Sequence, residues 1–259
     1  MEQVVTNEMN ATLIANFSEG EIEYALKQMA PLKAPGPDGM SPIFYQKYWH
    51  IVGPVVTAGV LSCLKDGKLL QKINHTNIYL IPKVQNPESF KEFRPISLWN
   101  VIYKIVAKVL ANRLKKVLPQ VISESQSAFV PGRLISDNIL IAFETLHHMK
   151  HMEMGSKECM ALKLDMSKAY DKVEWVFLEK IMLKMGFHPQ WVSMIMECVR
   201  TISHSILING EPRDFFHPTR GLRQGDPISP YLFLLCTEGL HALLTQASKK
   251  KVIQGLSIS

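Results

Sequence analysis

Apolar side chains spaced three and four residues apart predict a series of amphipathic helices along most of the chain. The clearest covers residues 99–118, where aliphatic side chains fall on one side and lysines mostly on the other. Ser18, with Glu21 three residues later, is typical of the N-terminus of an earlier helix. The same periodicity predicts further helices over about 42–51, 54–66, 136–153, 174–186, 189–200 and 225–247. Asp226 suits the N-cap of the last one.

Alternating apolar and polar side chains predict strands between these helices. One strand covers 76–84, and another covers 160–165 and ends on Asp165, which faces away from the leucines of that strand. Residues 203–216 form a predicted hairpin, because Asn209-Gly210 is a favoured two-residue turn. Separate helices and antiparallel strands indicate an α+β fold, with one sheet face packed on helices and the other open to a large ligand.

Composition and charge narrow the class of protein only slightly. The 259 residues are 47% hydrophobic and 20% charged, as in a globular protein with a sizeable core, and the net charge is +6. That balance weakly favours an anionic partner, most commonly nucleic acid. The four cysteines form no C-x-x-C pair, so neither a disulfide framework nor a zinc site is expected. No secretory signal or membrane span is evident, which predicts a cytoplasmic or nuclear protein without a membrane partner.

Three places in the sequence have residues that could bind a metal ion or a ligand. Asp165, at the end of its strand on the open face, could bind a hard cation, although a surface aspartate that caps the next turn has the same appearance. Lys83 and Arg94 flank a loop and could clamp a triphosphate, or could equally be two solvated charges. The segment KAPGPDG lacks the spacing of a phosphate-binding P-loop.

The third place is the loop TRGLRQGDPISP. Gly221 and Gly225 allow a ligand to approach the backbone closely, and Arg220, Arg223 and Gln224 supply hydrogen-bond donors. The helix start beyond adds free N–H groups and the positive end of a helix dipole, which favours an anion. We therefore expect Lys83, Arg94, Arg220 and Arg223 to line one cleft.

Taken together, the chain resembles reverse transcriptases, specifically the polymerase of plant retrotransposons of the LINE type, which lack long terminal repeats. Five segments carry the resemblance in the order of the family: 33–49, 78–114, 123–140, 162–173 (motif A) and 220–233 (motif B). A polymerase like that of group II intron maturases is an alternative, but the segment 123–140 favours the LINE type.

The resemblance implies a right-hand polymerase fold within one reverse transcriptase domain. Residues 1–158 would form N-terminal helices and the fingers, and 159–259 a partial palm with an intervening fingers segment. The palm would hold an antiparallel sheet, and the thumb would be absent. The implied activity is nucleotidyl transfer, in which dNTPs are added to a DNA primer on an RNA template with Mg²⁺, or with Mn²⁺ in its place.

For the nucleotide, the resemblance implies a role at five positions. Lys83 and Arg94 would hold the triphosphate. Tyr170 would be the steric gate that excludes the ribose 2′-OH, the group that separates the two sugars. Gln224 and Gly225 would lie against the incoming nucleotide and the template.

For the metal, the resemblance implies Asp165 as a ligand and catalytic residue, with the carbonyl of Met166 as a further ligand. The family supplies more carboxylates from motif C, a hairpin with an Asp-Asp pair. This sequence contains no Asp-Asp pair, so we expect it to be truncated before motif C and inactive by itself. A non-catalytic nucleic-acid-binding remnant is therefore the competing interpretation.

Overall fold

The computed structural model describes residues 3–151 and 159–255, and helices account for about half of these residues. The helices are α1 (Asn7–Ile14), α2 (Glu19–Lys27), α3 (Pro42–Lys47), α4 (Trp49–Asp66), α5 (Val101–Val121), α6 (Ile135–Lys150), α7 (Trp175–Met185), α8 (Pro189–Arg200) and α9 (Ser229–Lys249). The strands are β1 (His75–Pro82), β2 (Phe93–Trp99), β3 (Ser203–Ile208) and β4 (Glu211–Phe216). None of the helices in these two ranges is long and apolar enough to cross a membrane.

The four strands form one mixed sheet in the order β2-β1-β3-β4. β1 and β2 are antiparallel, and so are β3 and β4, whose predicted turn is confirmed. Asn209 and Gly210 both have positive φ, 54° and 83°, as this turn type requires. The expectation of an antiparallel sheet is wrong for the central pair, because β1 and β3 run parallel with Asn77 opposite Ser205. The long helical connection between these two strands makes the parallel crossover possible.

Helix α5 lies at the centre of the core, and its predicted aliphatic face is almost entirely buried. The prediction that its lysines face outward is wrong for Lys104, which is 3% exposed. Its ammonium group donates to the Ala34 carbonyl at 3.0 Å and lies over the Trp99 ring. Burial and the nearby Lys33 lower the pKa of Lys104 to about 8.

Helix α2 is fixed to α5 by a two-pronged ion pair. The Arg113 guanidinium donates to both carboxylate oxygens of Glu21, at 2.7 and 2.9 Å. This contact holds the pKa of Glu21 below its ordinary value. Glu21 also accepts from the backbone N–H of Ser18, while the Ser18 hydroxyl accepts from the Glu21 N–H. The predicted helix start is thereby confirmed, and the same carboxylate joins it to the core.

The predicted strand over 160–165 is wrong. Residues 159–166 are exposed and belong to no strand, and within the described residues no strand pairs with them. Alternation alone cannot make a strand, because the backbone needs a neighbour to accept and donate its hydrogen bonds. The preceding helix α6 also has no buried residue. Asp165 therefore lies on an open segment rather than on a sheet.

Candidate active site

The end of motif A is hydrogen-bonded directly to the loop of motif B. The Gly221 N–H donates to the Val173 carbonyl at 2.8 Å, and the Leu222 N–H donates to the Tyr170 carbonyl at 2.9 Å. The Trp175 indole N–H donates to the Gly221 carbonyl at 2.8 Å. Two segments about fifty residues apart in sequence are thus held as one unit by backbone groups.

Gly221 is required for this close approach. Its φ is +94°, and a Cβ atom added there would lie 3.1 Å from the Asp171 carbonyl oxygen. Both the left-handed backbone and the crowding favour a residue without a side chain.

We expect Gly221→Ala to destabilise the fold by about 1–3 kcal/mol, because it adds crowding to the strain of a positive φ. Gly39→Ala is the matched control, since Gly39 also has positive φ, +71°, but nothing within 4 Å of an added Cβ atom. Urea unfolding of both variants measures the difference. Equal losses in the two variants would contradict a tight contact at Gly221.

Tyr170, near the end of motif A, packs against helix α9. Its ring is half-buried and stacks on Phe233, with ring centroids 5.1 Å apart and planes 14° apart. Burial raises the pKa of its hydroxyl. The Tyr170 carbonyl also accepts a hydrogen bond from the Leu222 N–H. The stacking and this hydrogen bond together fix the position of the aromatic ring relative to the motif B loop.

Four other predicted residues of motifs A and B are exposed. Asp165 and Met166 lie on the open segment before Tyr170, and Gln224 and Gly225 lie on the loop before α9. Gly225 has positive φ, +83°, and a Cβ atom there would lie 3.4 Å from the Trp99 ring. The loop therefore packs closely against the end of strand β2.

Lys83 and Arg94 lie on the β1–β2 hairpin. Arg94 is opposite Ile81, and the Lys83 N–H donates to the Glu92 carbonyl at 2.7 Å, which continues the antiparallel pairing. Because side chains alternate along a strand, this register puts Lys83 and Arg94 on the same face. Both are exposed. Within the described residues, no hydrogen bond or ion pair joins them to Asp165 or to the motif B loop.

The expectation that Arg223 lines an open cleft is wrong, because only 5% of it is exposed. Its guanidinium donates to the Thr76 hydroxyl at 2.9 Å and to the Asn74 side-chain oxygen at 2.7 Å. It also lies 3.1 Å from an Asp226 carboxylate oxygen and stacks over the Tyr103 ring. Arg223 thus connects motif B to strand β1 and helix α5 and contributes no donor to a ligand.

Asp226 is not the N-cap of α9, which begins three residues later at Ser229. Its carboxylate, 3% exposed, accepts from the Tyr103 hydroxyl at 2.6 Å and from the Ile228 N–H at 3.1 Å. Burial raises the pKa of Tyr103 well above its ordinary value, so the hydroxyl keeps its proton and donates. The spacing of Arg223 and Asp226, three residues apart, is a sequence pattern that could have indicated this pair.

The family model described as reverse transcriptase (RNA-dependent DNA polymerase) matches residues 81–254, two thirds of the chain. The chain belongs to the reverse transcriptase family. The resemblance stated from the five segments is therefore confirmed at the level of the family.

Two of three relatives of this reverse transcriptase domain carry the names of mobile elements. It is 32% identical over 241 residues to the "Transposon TX1 uncharacterized 149 kDa protein" of Xenopus laevis, covering 93% of the chain and 18% of that protein. It is 28% identical over 220 residues to the "Retrovirus-related Pol polyprotein from type-2 retrotransposable element R2DM" of Drosophila melanogaster, covering 85% and 20%. A shorter match, 51% identical over 53 residues, is to the "Uncharacterized mitochondrial protein AtMg01250" of Arabidopsis thaliana, covering 20% and 43%. The chain thus spans about a fifth of the first two relatives.

Reverse transcriptases use divalent metal ions, and the residues described here do not make a complete site for them. Two ions about 4 Å apart need several oxygen ligands. Asp165 offers one exposed carboxylate, whereas Asp226 is buried against Arg223 and Tyr103. Among the described residues, no group of three or more His, Cys, Asp or Glu side chains could hold a metal ion.

Proposed function

We propose that this chain is part of the polymerase of a LINE-type retrotransposon, one without long terminal repeats. In the intact polymerase it would add dNTPs to the 3′-OH of a DNA primer on an RNA template. Two relatives that cover most of the chain, from Xenopus and Drosophila, are by their names proteins of a transposon and of a retrotransposable element. The order of the five segments and the match over 81–254 support the same class.

We further propose a plant element as the source. The shorter relative from Arabidopsis thaliana is the most similar of the three in sequence, at 51% identity, although it covers only 20% of the chain.

The observation that carries the proposal is the backbone joint between motif A and motif B. It holds Tyr170 in a fixed orientation on Phe233 and next to the exposed loop of Gln224 and Gly225. A rigid aromatic ring beside an exposed, glycine-containing loop suits a site that must test the shape of a sugar and let a base approach the backbone closely. This geometry supports the proposed right-hand fold, in which motifs A and B both belong to the partial palm.

The remaining residues take the roles that the family implies. Lys83 and Arg94, on one face of the β1–β2 hairpin, would bind the triphosphate of the incoming dNTP. Gln224 and Gly225 would contact the nucleotide and the template. Asp165 would be one ligand of Mg²⁺ in a polymerase that contains the other carboxylates.

We expect Tyr170→Ala to let the polymerase accept ribonucleotides more readily, because removing the ring opens space for the 2′-OH. The ratio of dNTP to rNTP incorporation should fall by on the order of tenfold or more. The measurement is single-nucleotide primer extension on an RNA template, with the chain joined to the motif C and thumb segments of a related element. Tyr170→Phe, which keeps the ring and its stacking, should retain the discrimination. An unchanged ratio in the alanine variant would remove the gate assignment from Tyr170.

A further inference from the structure

Four lysines form a line of positive charge along helix α5, and we call them the lysine stripe: Lys33, Lys104, Lys108 and Lys115. At 100° per residue, the three that belong to α5 fall within an arc of about 40° on one side of the helix. They extend along it for about 16 Å, at 1.5 Å per residue. Lys33 joins the N-terminal end of the stripe, because its ammonium group and that of Lys104 lie over the same Trp99 ring, at 5.9 and 5.6 Å from its centroid.

The charges of the stripe repel one another, and the Asp38 carboxylate offsets this repulsion only in part, at Lys104. Burial, Lys115 and Lys33 together lower the pKa of Lys108, and burial with Lys33 lowers that of Lys104. Within the described residues, none of the four lysines forms an ion pair. Helix α5 contains no acidic residue at all. A helix face that serves only to be solvated usually mixes both signs of charge, since like charges one turn apart destabilise a helix.

Both ends of the stripe lie beside motif B. At one end, the Trp99 ring under Lys33 and Lys104 packs closely against Gly225. At the other end, the Lys115 ammonium group lies 5.4 Å from the ring centroid of Tyr231, on helix α9.

A groove opens next to Lys115 between helices α2 and α5, with a volume of about 330 Å³. Its lining includes Tyr24, Asn112 and Lys116, so the surface beside the stripe offers an exposed aromatic ring and polar groups as well as charge. A nucleic-acid strand carries charged phosphates and aromatic bases side by side, and this surface offers a matching partner for each.

We propose that Lys33, Lys108 and Lys115, the members of the lysine stripe that reach the surface, bind the phosphates of a nucleic-acid strand that runs along helix α5 beside motif B. Buried Lys104 adds positive charge behind them without touching the strand. At 3.4 Å per nucleotide, the length of the stripe corresponds to about five nucleotides. The inference rests on the proposed function for the kind of partner, and it adds a second contact surface, separate from Lys83 and Arg94. An acidic protein segment would meet the same charges, but neither the groove beside Lys115 nor the position next to motif B calls for one.

The test compares two double variants that each remove two positive charges. Lys108→Gln with Lys115→Gln alters the stripe, and Lys180→Gln with Lys184→Gln, on exposed positions of α7, is the matched control. Binding of the 259-residue chain to a labelled single-stranded RNA is measured by fluorescence anisotropy from 50 to 300 mM salt. The stripe variant should bind on the order of tenfold or more weakly at 0.1 M salt, with a salt slope shallower by about 1.4. Lys108→Arg with Lys115→Arg keeps the charge and should bind like the unaltered chain. This control shows whether substitution at these two positions disturbs the fold.

Each of the following results would contradict the proposed role of the lysine stripe, for a different reason. Equal losses in the stripe and control variants would mean that only net charge matters. Unchanged binding of the stripe variant would place the RNA elsewhere and leave the proposed function standing. Displacement of the RNA by an equal charge of polyglutamate would show a general polyanion surface. If the unaltered chain binds no RNA, the stripe proposal fails, whereas the primer-extension assay on Tyr170 still decides the proposed function.

Discussion

The 259-residue chain, mixed with an RNA template, an annealed DNA primer, dNTPs and Mg²⁺, should extend no primer above background. Asp165 is the one carboxylate in this sequence that matches a metal ligand of the family, and it lies on an exposed segment without a strand to hold it. Asp226 cannot supply the missing ligand, because its oxygens already accept from Tyr103 and Ile228 and pair with Arg223. A single exposed carboxylate is too weak a ligand set to organise a phosphoryl-transfer site.

The control for this prediction is a chimera. Adding the motif C hairpin and thumb of an intact related element should produce extension, and Asp165→Ala in that chimera should remove it by at least about a hundredfold. Synthesis by the chain alone that depends on Asp165 would contradict the prediction. A correctly folded chimera that stays inactive would instead favour the interpretation of the chain as a non-catalytic remnant.

Arg223→Ala should lower the free energy of unfolding by about 3–5 kcal/mol, because it leaves the buried Asp226 carboxylate without its cation. The change would also leave the Asn74 oxygen and the Thr76 hydroxyl without their donor. Asp226→Ala should be similarly destabilising. Urea unfolding followed by circular dichroism measures both.

Arg213→Ala is the matched control for charge removal. Arg213 pairs with Glu211 at 2.7 Å, but both side chains are well exposed, so the loss should stay below about 1 kcal/mol. The double variant Arg223→Met with Asp226→Leu should lose less than either alanine variant, since an apolar pair leaves no unpaired charge. An Arg223→Ala loss as small as that of Arg213→Ala would show that the buried network does not hold motif B in place.

Local sequence patterns predicted one hairpin and most of the helices, though not α1, because the information they need lies within a few residues. Helix α5 has the expected aliphatic face, and Asn209-Gly210 makes the expected turn. Strand β2 was not predicted, since Pro95 interrupts its pattern. The structure accommodates Pro95 because β2 is an edge strand, where one side of the backbone needs no partner.

The errors fall where distant residues decide the outcome. Lys104 and Arg223 look like solvated cations in their own segments, and both are buried by residues far away in the sequence. The partners of Arg223 include Asn74 and Thr76, almost 150 positions earlier. The segment ending at Asp165 has the alternation of a strand, but within the described residues it has no neighbour to pair with. A short window of sequence does not contain this information.

The parallel pairing of β1 with β3 has a consequence for how the chain folds as it is synthesised. Ser203 pairs with His75, so one edge of β1 stays unpaired until about 130 further residues have left the ribosome. At 5–20 residues per second this interval lasts on the order of 10 s. The β1–β2 hairpin would spend that time with an open edge, a surface on which nascent chains aggregate. Expression at a lower growth temperature, or with a chaperone that covers exposed strands, should therefore raise the yield of soluble protein.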